Sequence, residues 1–254
     1  MTLRRALAAL ALAAALPAAA YVLPAPAVVK KAAEKRAALD LLSVEVTGTL
    51  ELRGAALARL GALAPAAGGA LTVPARILLK VPGRARVELL AAGAAEGERP
   101  FVALRDDRLT GQGGLEGTPA AAALVRGLAA LLAAPTGGEG HALAEALVRR
   151  GVKLDDATLG RFNGRLAYVL GGRFVEGKRQ PLAFVDKESF MPLRLLAAEG
   201  GAVLDVRLID WASPTGGDWF PRAVEVWDGA QLLAKFTTEK AAANPKLSEA
   251  LFER

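Results

Sequence analysis

The sequence predicts an α+β fold that is mostly antiparallel β: about ten strands in one meander, one helix ahead of them and a helical pair interrupting them. Three observations carry this reading. Apolar and polar residues alternate at period two in segment after segment, glycine, proline or charged turns separate those segments, and the period shifts to a helical one only near residues 28–42 and 118–150.

The first helix is predicted from Val28 to Leu42, where Lys30, Lys31, Glu34, Lys35 and Arg36 form a strongly polar side. From Val44 the pattern changes: Val44, Val46, Leu50 and Leu52 alternate with Glu45, Thr47, Thr49 and Glu51, the habit of an antiparallel strand with one covered face. Gly54 to Ala70 reads as a small-residue connection. Strands resume from Leu71 to Val81 and from Arg84 to Leu90 around the turn dipeptide Pro82-Gly83, then from Phe101 to Leu104 and Arg108 to Thr110 around Asp106 and Asp107.

Thr118 followed by Pro119 is a helix start, since a threonine oxygen accepts from a free N–H of the first turn and proline needs no partner there. A helix over Ala120 to Ala134 follows, then a glycine-rich break and a second helix from Ala142 to Arg150, stopped by Gly151. The remaining strands are Arg165–Leu170, Pro181–Asp186, Pro192–Ala197, Val203–Ile209, Phe220–Trp227 and Gln231–Thr238. In Leu182 to Leu196, Asp186 is expected to begin a turn and Pro192 to open the next strand, because proline owes the ladder no donor there.

Arg4 and Arg5, the apolar run Ala6 to Leu16 and the small residues Pro17 to Ala20 have the order of a secretory signal peptide, so 1–20 is expected to be removed, with an uncleaved membrane anchor over Ala6 to Leu23 as the alternative, and 21–254 to form a single β-rich domain. The expected location is the periplasm. That segment holds two of the 32 basic residues and no acid, so a net charge of +6 falls to +4, with 30 basic against 26 acidic residues. The basic residues are scattered without aromatic interleaving, which argues against a nucleic-acid surface. No cysteine is present, so neither a disulfide nor an acylated cysteine is available.

Little in the chain is equipped for catalysis. His141 is the only histidine, and its place after a glycine-rich turn predicts a solvated or capping role. A nitrogen-and-sulfur zinc site is out of reach, and Ser43, Ser213 and Ser248 lie in no nucleophile elbow. The pairs Asp106-Asp107 and Asp155-Asp156 are adjacent residues, which read as turns rather than opposed catalytic carboxylates. No phosphate-cradling glycine motif follows a strand. Neither enzyme activity nor a cofactor nor a metal is expected.

The succession Arg165-Leu-Ala-Tyr-Val-Leu-Gly, Leu182-Ala-Phe-Val-Asp186 and Phe190-Met-Pro192-Leu-Arg194 resembles the LolA-type family of outer-membrane lipoprotein-sorting proteins. Lys80-Val-Pro-Gly-Arg-Ala-Arg86 is similar to its strand connection, and Phe220-Pro221, Lys235-Phe236-Thr237, Asn244-Pro245 and Leu251-Phe252 to its closing strands and tail. The resemblance implies an incomplete, unclosed β-barrel whose open side is covered by the N-terminal helix and the central helical pair, around an apolar cavity for the acyl chains of a lipoprotein or other lipid. It further implies a monomeric carrier, an inner-membrane donor complex and an outer-membrane acceptor. The alternative is a periplasmic sensor or scaffold of the same fold that binds a protein partner. Val81 departs from the pattern, standing where carriers have a basic residue that contacts the lid.

If a lipid site exists, alternation assigns its wall. Counting from the charged positions puts Leu50, Ile77, Leu79, Val87, Leu89, Phe184, Leu193, Leu195, Val206 and Leu208 on the covered face.

Overall fold

Twelve strands form one antiparallel sheet in the order β5-β4-β3-β2-β1-β12-β11-β10-β9-β8-β7-β6. The computed structural model describes residues 22–54, 69–90, 95–134 and 140–253. The expected signal segment, most of the connection 54–70 and Gly137 and Gly138 lie outside the described residues.

Helix α1 spans Ala25–Ala37 and precedes β1 (Ser43–Arg53), β2 (Ala70–Lys80), β3 (Arg84–Leu89), β4 (Phe101–Arg105) and β5 (Arg108–Gln112). Helices α2 (Pro119–Leu132) and α3 (His141–Arg149) follow. The chain then returns as β6 (Ala157–Phe162), β7 (Arg165–Leu170), β8 (Leu182–Asp186), β9 (Pro192–Glu199), β10 (Ala202–Ile209), β11 (Ala223–Asp228) and β12 (Gln231–Ala243). Among the described residues neither β5 nor β6 has a second neighbour, so the sheet is not closed into a barrel.

Its curvature follows from the helix it holds. α2 packs against β2, β3 and β4 on one half and β9 to β12 on the other. In a flat sheet β4 and β9 would lie about 34 Å apart at ~4.8 Å per strand. A helix of about 10 Å diameter reaches both only if the sheet curls around it. Gly48 helps join the halves at the bulge between β1 and β12, because a Cβ there would lie 2.0 Å from the Thr237 carbonyl oxygen.

The strand absent from the sequence reading is β6. Its interior residue Gly160 is one that weakens a strand pattern, yet a Cβ there would meet Val169 at 2.8 Å. The turn after it did carry a signal, since Asn163 and Gly164 both take positive φ, as a two-residue hairpin with Asn-Gly requires. Other differences concern ends: α1 starts three residues earlier than predicted and stops at Ala37, β11 starts at Ala223, and β12 runs on to Ala243.

The Asp186 hairpin forms as expected. Asp186 Oδ1 accepts from the Glu188 N–H at 3.0 Å, the Ser189 N–H at 2.7 Å and the Ser189 hydroxyl at 2.9 Å, while its other oxygen meets Arg165 Nε at 2.8 Å. Pro192 opens β9 opposite Val185.

Two apolar clusters, rather than one, stabilise the sheet. The larger fills the hollow beneath the helices; the smaller, around Phe162, Phe184, Leu193 and Leu196, covers the outer face of β6 to β9. Arg194 crosses the smaller one, its guanidinium 4.8–5.6 Å from the rings of Phe162, Phe174 and Phe184 and held by Asp205 at 2.7 and 2.8 Å. On the outer face of β3 and β4 the C-terminal 3-10 turn Glu249–Phe252 packs down, burying Phe252. No helix among the described residues is long and apolar enough to cross a membrane.

Candidate functional site

The hollow of the sheet is occupied by α2. Thr118 starts it as predicted, accepting from the Ala121 N–H at 3.3 Å, with Pro119 in the first turn. Of its 14 residues, 12 are buried, and all of those are Ala, Gly, Leu or Val. Arg126 is the one charged residue of the helix.

Eight of the ten residues assigned to the covered face line this hollow: Leu50, Ile77, Leu79, Val87, Leu89, Leu195, Val206 and Leu208, none more than 2 % exposed. They share one cluster with Leu124, Val125 and Leu128 of α2. Phe184 and Leu193 do not join them. Phe184 shares its side of β8 with Leu182 and Asp186, because residues two apart point the same way, and it lies in the outer cluster. Leu193 would share the side of Leu195 in a regular strand. A bulge pairs Phe184 with Arg194 and Val185 with Pro192, however, so Leu193 is an extra residue turned to the outer face.

Helix and sheet meet closely. A Cβ on Gly127 would lie 3.0 Å from a methyl of Val206, so this glycine sets how near the backbone of α2 comes to β10. The space left between Gly127, Leu195, Leu204 and Val206 is about 10 Å³. That is the volume of a single water-sized probe, far below what an acyl chain needs.

Two contacts hold the C-terminal end of α2, where helix carbonyls lack intrahelical donors. The Gly83 N–H at the β2–β3 turn donates to the Ala133 carbonyl at 2.5 Å. Arg36 of α1 donates from Nη2 to the Leu132 carbonyl at 3.1 Å and from Nη1 to the Trp219 carbonyl at 3.2 Å. Arg36 is 5 % exposed, and desolvation lowers its pKa to about 10, so it remains a cation at neutral pH. Sequence reasoning had assigned Arg36 to the polar side of that helix. Its spacing from Val29 and from Ala32 and Ala33, seven, four and three residues on, is the signal that puts it on the buried stripe.

Beside this end opens a cleft of about 380 Å³, between α2, α3 and the turns at Pro82-Gly83 and Asp106-Asp107. Leu104, Ala129, Ala130, Ala134, Ala142 and Ala146 make an apolar floor, and Arg126, Arg149, Arg150, Glu145, Asp106 and Asp107 line it with charge. Arg150 forms an ion pair with Asp107, which Arg149 also approaches at 3.4 Å. The buried Nε of Arg126 is ion-paired with Glu199 Oε2 at 3.5 Å, without hydrogen-bond geometry.

No protein-family model and no curated protein matches the chain. Among solved structures, a LolA superfamily protein from Nitrosomonas europaea is similar at 11 % identity and a TM-score of 0.46, over 91 % of this chain and 98 % of that one. A DUF1329 family protein from Desulfovibrio piger is similar at 12 % identity and a TM-score of 0.45, over 91 % and 98 %. MucB in complex with MucA(peri) is matched at 18 % identity and a TM-score of 0.28, over 88 % of this chain and 58 % of MucB.

Proposed function

We propose that this chain is a periplasmic binder and carrier of long acyl chains, taking those of a lipoprotein or another lipid into the hollow of the sheet in place of α2 and passing them towards the outer membrane. The observation that carries the reading is α2 itself: an apolar helix inside a curled sheet, tied at its C-terminal end by a few hydrogen bonds rather than by a second layer of sheet. The leader-like residues 1–20 support export. Binding, not catalysis, is the role in this reading.

The energies are of matching size. Exposing the four leucines and one valine that α2 buries would cost about 10 kcal/mol at ~2 kcal/mol each. Burying a chain of about sixteen carbons in their place returns about 12 kcal/mol at ~0.8 kcal/mol per methylene. A near balance is what a carrier needs, since a cargo held far more tightly than the helix would not be released.

The test is direct titration of the full chain with a fluorescent sixteen-carbon acyl probe, paired with native mass spectrometry of protein taken from the periplasm. Saturable probe binding and co-purifying lipid or lipoprotein are expected. Absence of both, with a stoichiometric protein partner instead, would favour a sensor or scaffold.

A further inference from the structure

The two edges of the sheet are finished differently. At β5 the Gln112 side chain donates to the Gly97 and Arg99 carbonyls at 2.9 and 2.8 Å. The 3-10 turn Leu115–Gly117 also packs against β5, so closely that a Cβ on Gly111 would lie 2.6 Å from that of Glu116. At β6 the one strand partner among the described residues is β7. Proteins commonly guard such an edge with lysine, proline or a bulge. β6, Ala-Thr-Leu-Gly-Arg-Phe, contains neither lysine nor proline, and its register with β7 runs without a shift.

The ladder fixes which way its backbone groups point. The Gly171 N–H donates to the Asp156 carbonyl at 3.3 Å, so Asp156 faces β7. Facing alternates along an antiparallel strand, so Thr158, Gly160 and Phe162 also bond towards β7, whereas Ala157, Leu159 and Arg161 turn their N–H and C=O groups outward. No other described strand takes up this row, which runs beside the half-buried Ala157 and Leu159.

The charges of the strand are ordered end to end. Asp155 and Asp156 stand exposed at its start, and Arg161 stands exposed near its finish. Arg161 has one long hydrogen bond, to the Gly164 carbonyl at 3.4 Å, and meets no carboxylate among the described residues. Arg165, across from Phe162 on β7, is already engaged by Asp186. An antiparallel neighbour with the same order brings acid to base at both ends, whereas a parallel one brings like to like. A second copy of this chain has that order.

We propose that β6 pairs antiparallel with β6 of a second copy, about a two-fold axis at Thr158. In this register Thr158 faces its counterpart, Ala157 faces Leu159, and the Asp155-Asp156 end of each copy lies beside Arg161 of the other. Lys153 falls level with the Asn163 turn and meets no like charge. Opposed threonines are a favourable cross-strand pair, a small alanine accommodates the larger leucine, and symmetry makes each unlike contact twice. The sheets join edge to edge, so the pairing stands whether or not the hollow takes acyl chains. Two six-residue strands cover less than a stable interface needs, so half-association is expected at about 10–100 µM. The species at high concentration is then a dimer, where the family resemblance implies a monomer.

Sedimentation velocity of the full chain across that range is expected to show a reversible dimer. Arg161→Glu, an exposed substitution, is expected to raise the dissociation constant about tenfold, because two attractions become repulsions. Asp155→Arg/Asp156→Arg/Arg161→Glu is expected to recover most of that loss. The register is read from single cysteines, which the chain otherwise lacks. Thr158→Cys is expected to give a disulfide-linked dimer on mild oxidation, whereas Arg161→Cys, about 20 Å from its counterpart at ~3.4 Å per residue, is not. Amide exchange at Ala157, Leu159 and Arg161 is expected to slow as concentration rises. A chain that stays monomeric with those amides open leaves the edge to a different strand and overturns the proposal. Equal protection at every concentration means that the edge is covered within one chain, and overturns it too. So does an unchanged constant for Arg161→Glu, or crosslinking of Arg161→Cys as readily as Thr158→Cys.

Discussion

Replacing Arg36 by methionine separates the role of a latch from that of a core residue, because methionine keeps the bulk of the stem and removes the charge. The fall of its pKa to about 10 corresponds to a desolvation cost of about 3 kcal/mol for the cation. Against that, two hydrogen bonds from a charged donor contribute about 1.5–3 kcal/mol each. The two terms largely offset, so Arg36→Met should lower global stability by only about 1–2 kcal/mol. Its effect on α2 should be disproportionate. Loss of the bond to the Leu132 carbonyl removes about 1.5–3 kcal/mol from the closed helix alone, which raises its opening roughly ten- to hundredfold. Hydrogen exchange reads both quantities at once: amides of residues 122–132 should exchange ten- to hundredfold faster, while those of β9 and β10 follow the small global change. Equal acceleration of helix and strands, or none in the helix, would refute the reasoning.

Other consequences are checked as simply. Leu195→Asn should lower stability by about 4 kcal/mol, because in the closed state it meets packed helix and leaves an amide without partners; chemical denaturation measures it, and a loss under about 1 kcal/mol would mean that the hollow is looser than described. Asp186→Ala should cost about 3 kcal/mol through three lost hydrogen bonds and the Arg165 pair, read as a fall in the unfolding midpoint. The C-terminal turn should respond to acid. A hydrogen bond from Lys80 holds the Glu249 carboxyl below its usual 4.5, so this carboxylate's contribution to the turn's attachment is complete above that pH and is lost as pH falls through the lowered value, while Phe252 stays packed. Backbone NMR shifts of Leu247 and Leu251 should move with a midpoint below 4.5, and a midpoint at or above it would contradict this account.

Much of this fold is legible in the chain because its signals are local. Thr118-Pro119 starts α2 and Asp186 starts its hairpin through contacts within three residues, so both are visible without the rest of the molecule. The alternation in β1, β2, β3 and β10 likewise names the wall of the hollow. It fails at Leu193, where one inserted residue reverses the facing of a side chain, and a bulge is fixed by pairing with β8 rather than by the residues of β9. At Phe184 the alternation pointed the other way: Asp186, two residues on, shares its side of β8, so counting from that charge places Phe184 on the outer face, where a second apolar cluster buries it and Asp186 is 2 % exposed. Arg36 and Arg126 show the same lesson in reverse. Each is a charge on a buried or apolar helix, and its partner lies far along the chain: the Leu132 carbonyl, 96 residues away, for Arg36 and the Glu199 carboxylate for Arg126.

The central claim is that α2 must leave the hollow for an acyl chain to enter. The chain has no cysteine of its own, so a single engineered pair can lock the helix without ambiguity. A Cβ on Gly127 would lie 3.2 Å from that of Val206, within a few tenths of an ångström of the separation a disulfide spans. The measurement is binding of the sixteen-carbon acyl probe to Gly127→Cys/Val206→Cys, oxidised and then reduced. The account predicts no saturable binding while the disulfide is intact and recovery on adding reductant. Equal binding in both states would contradict it.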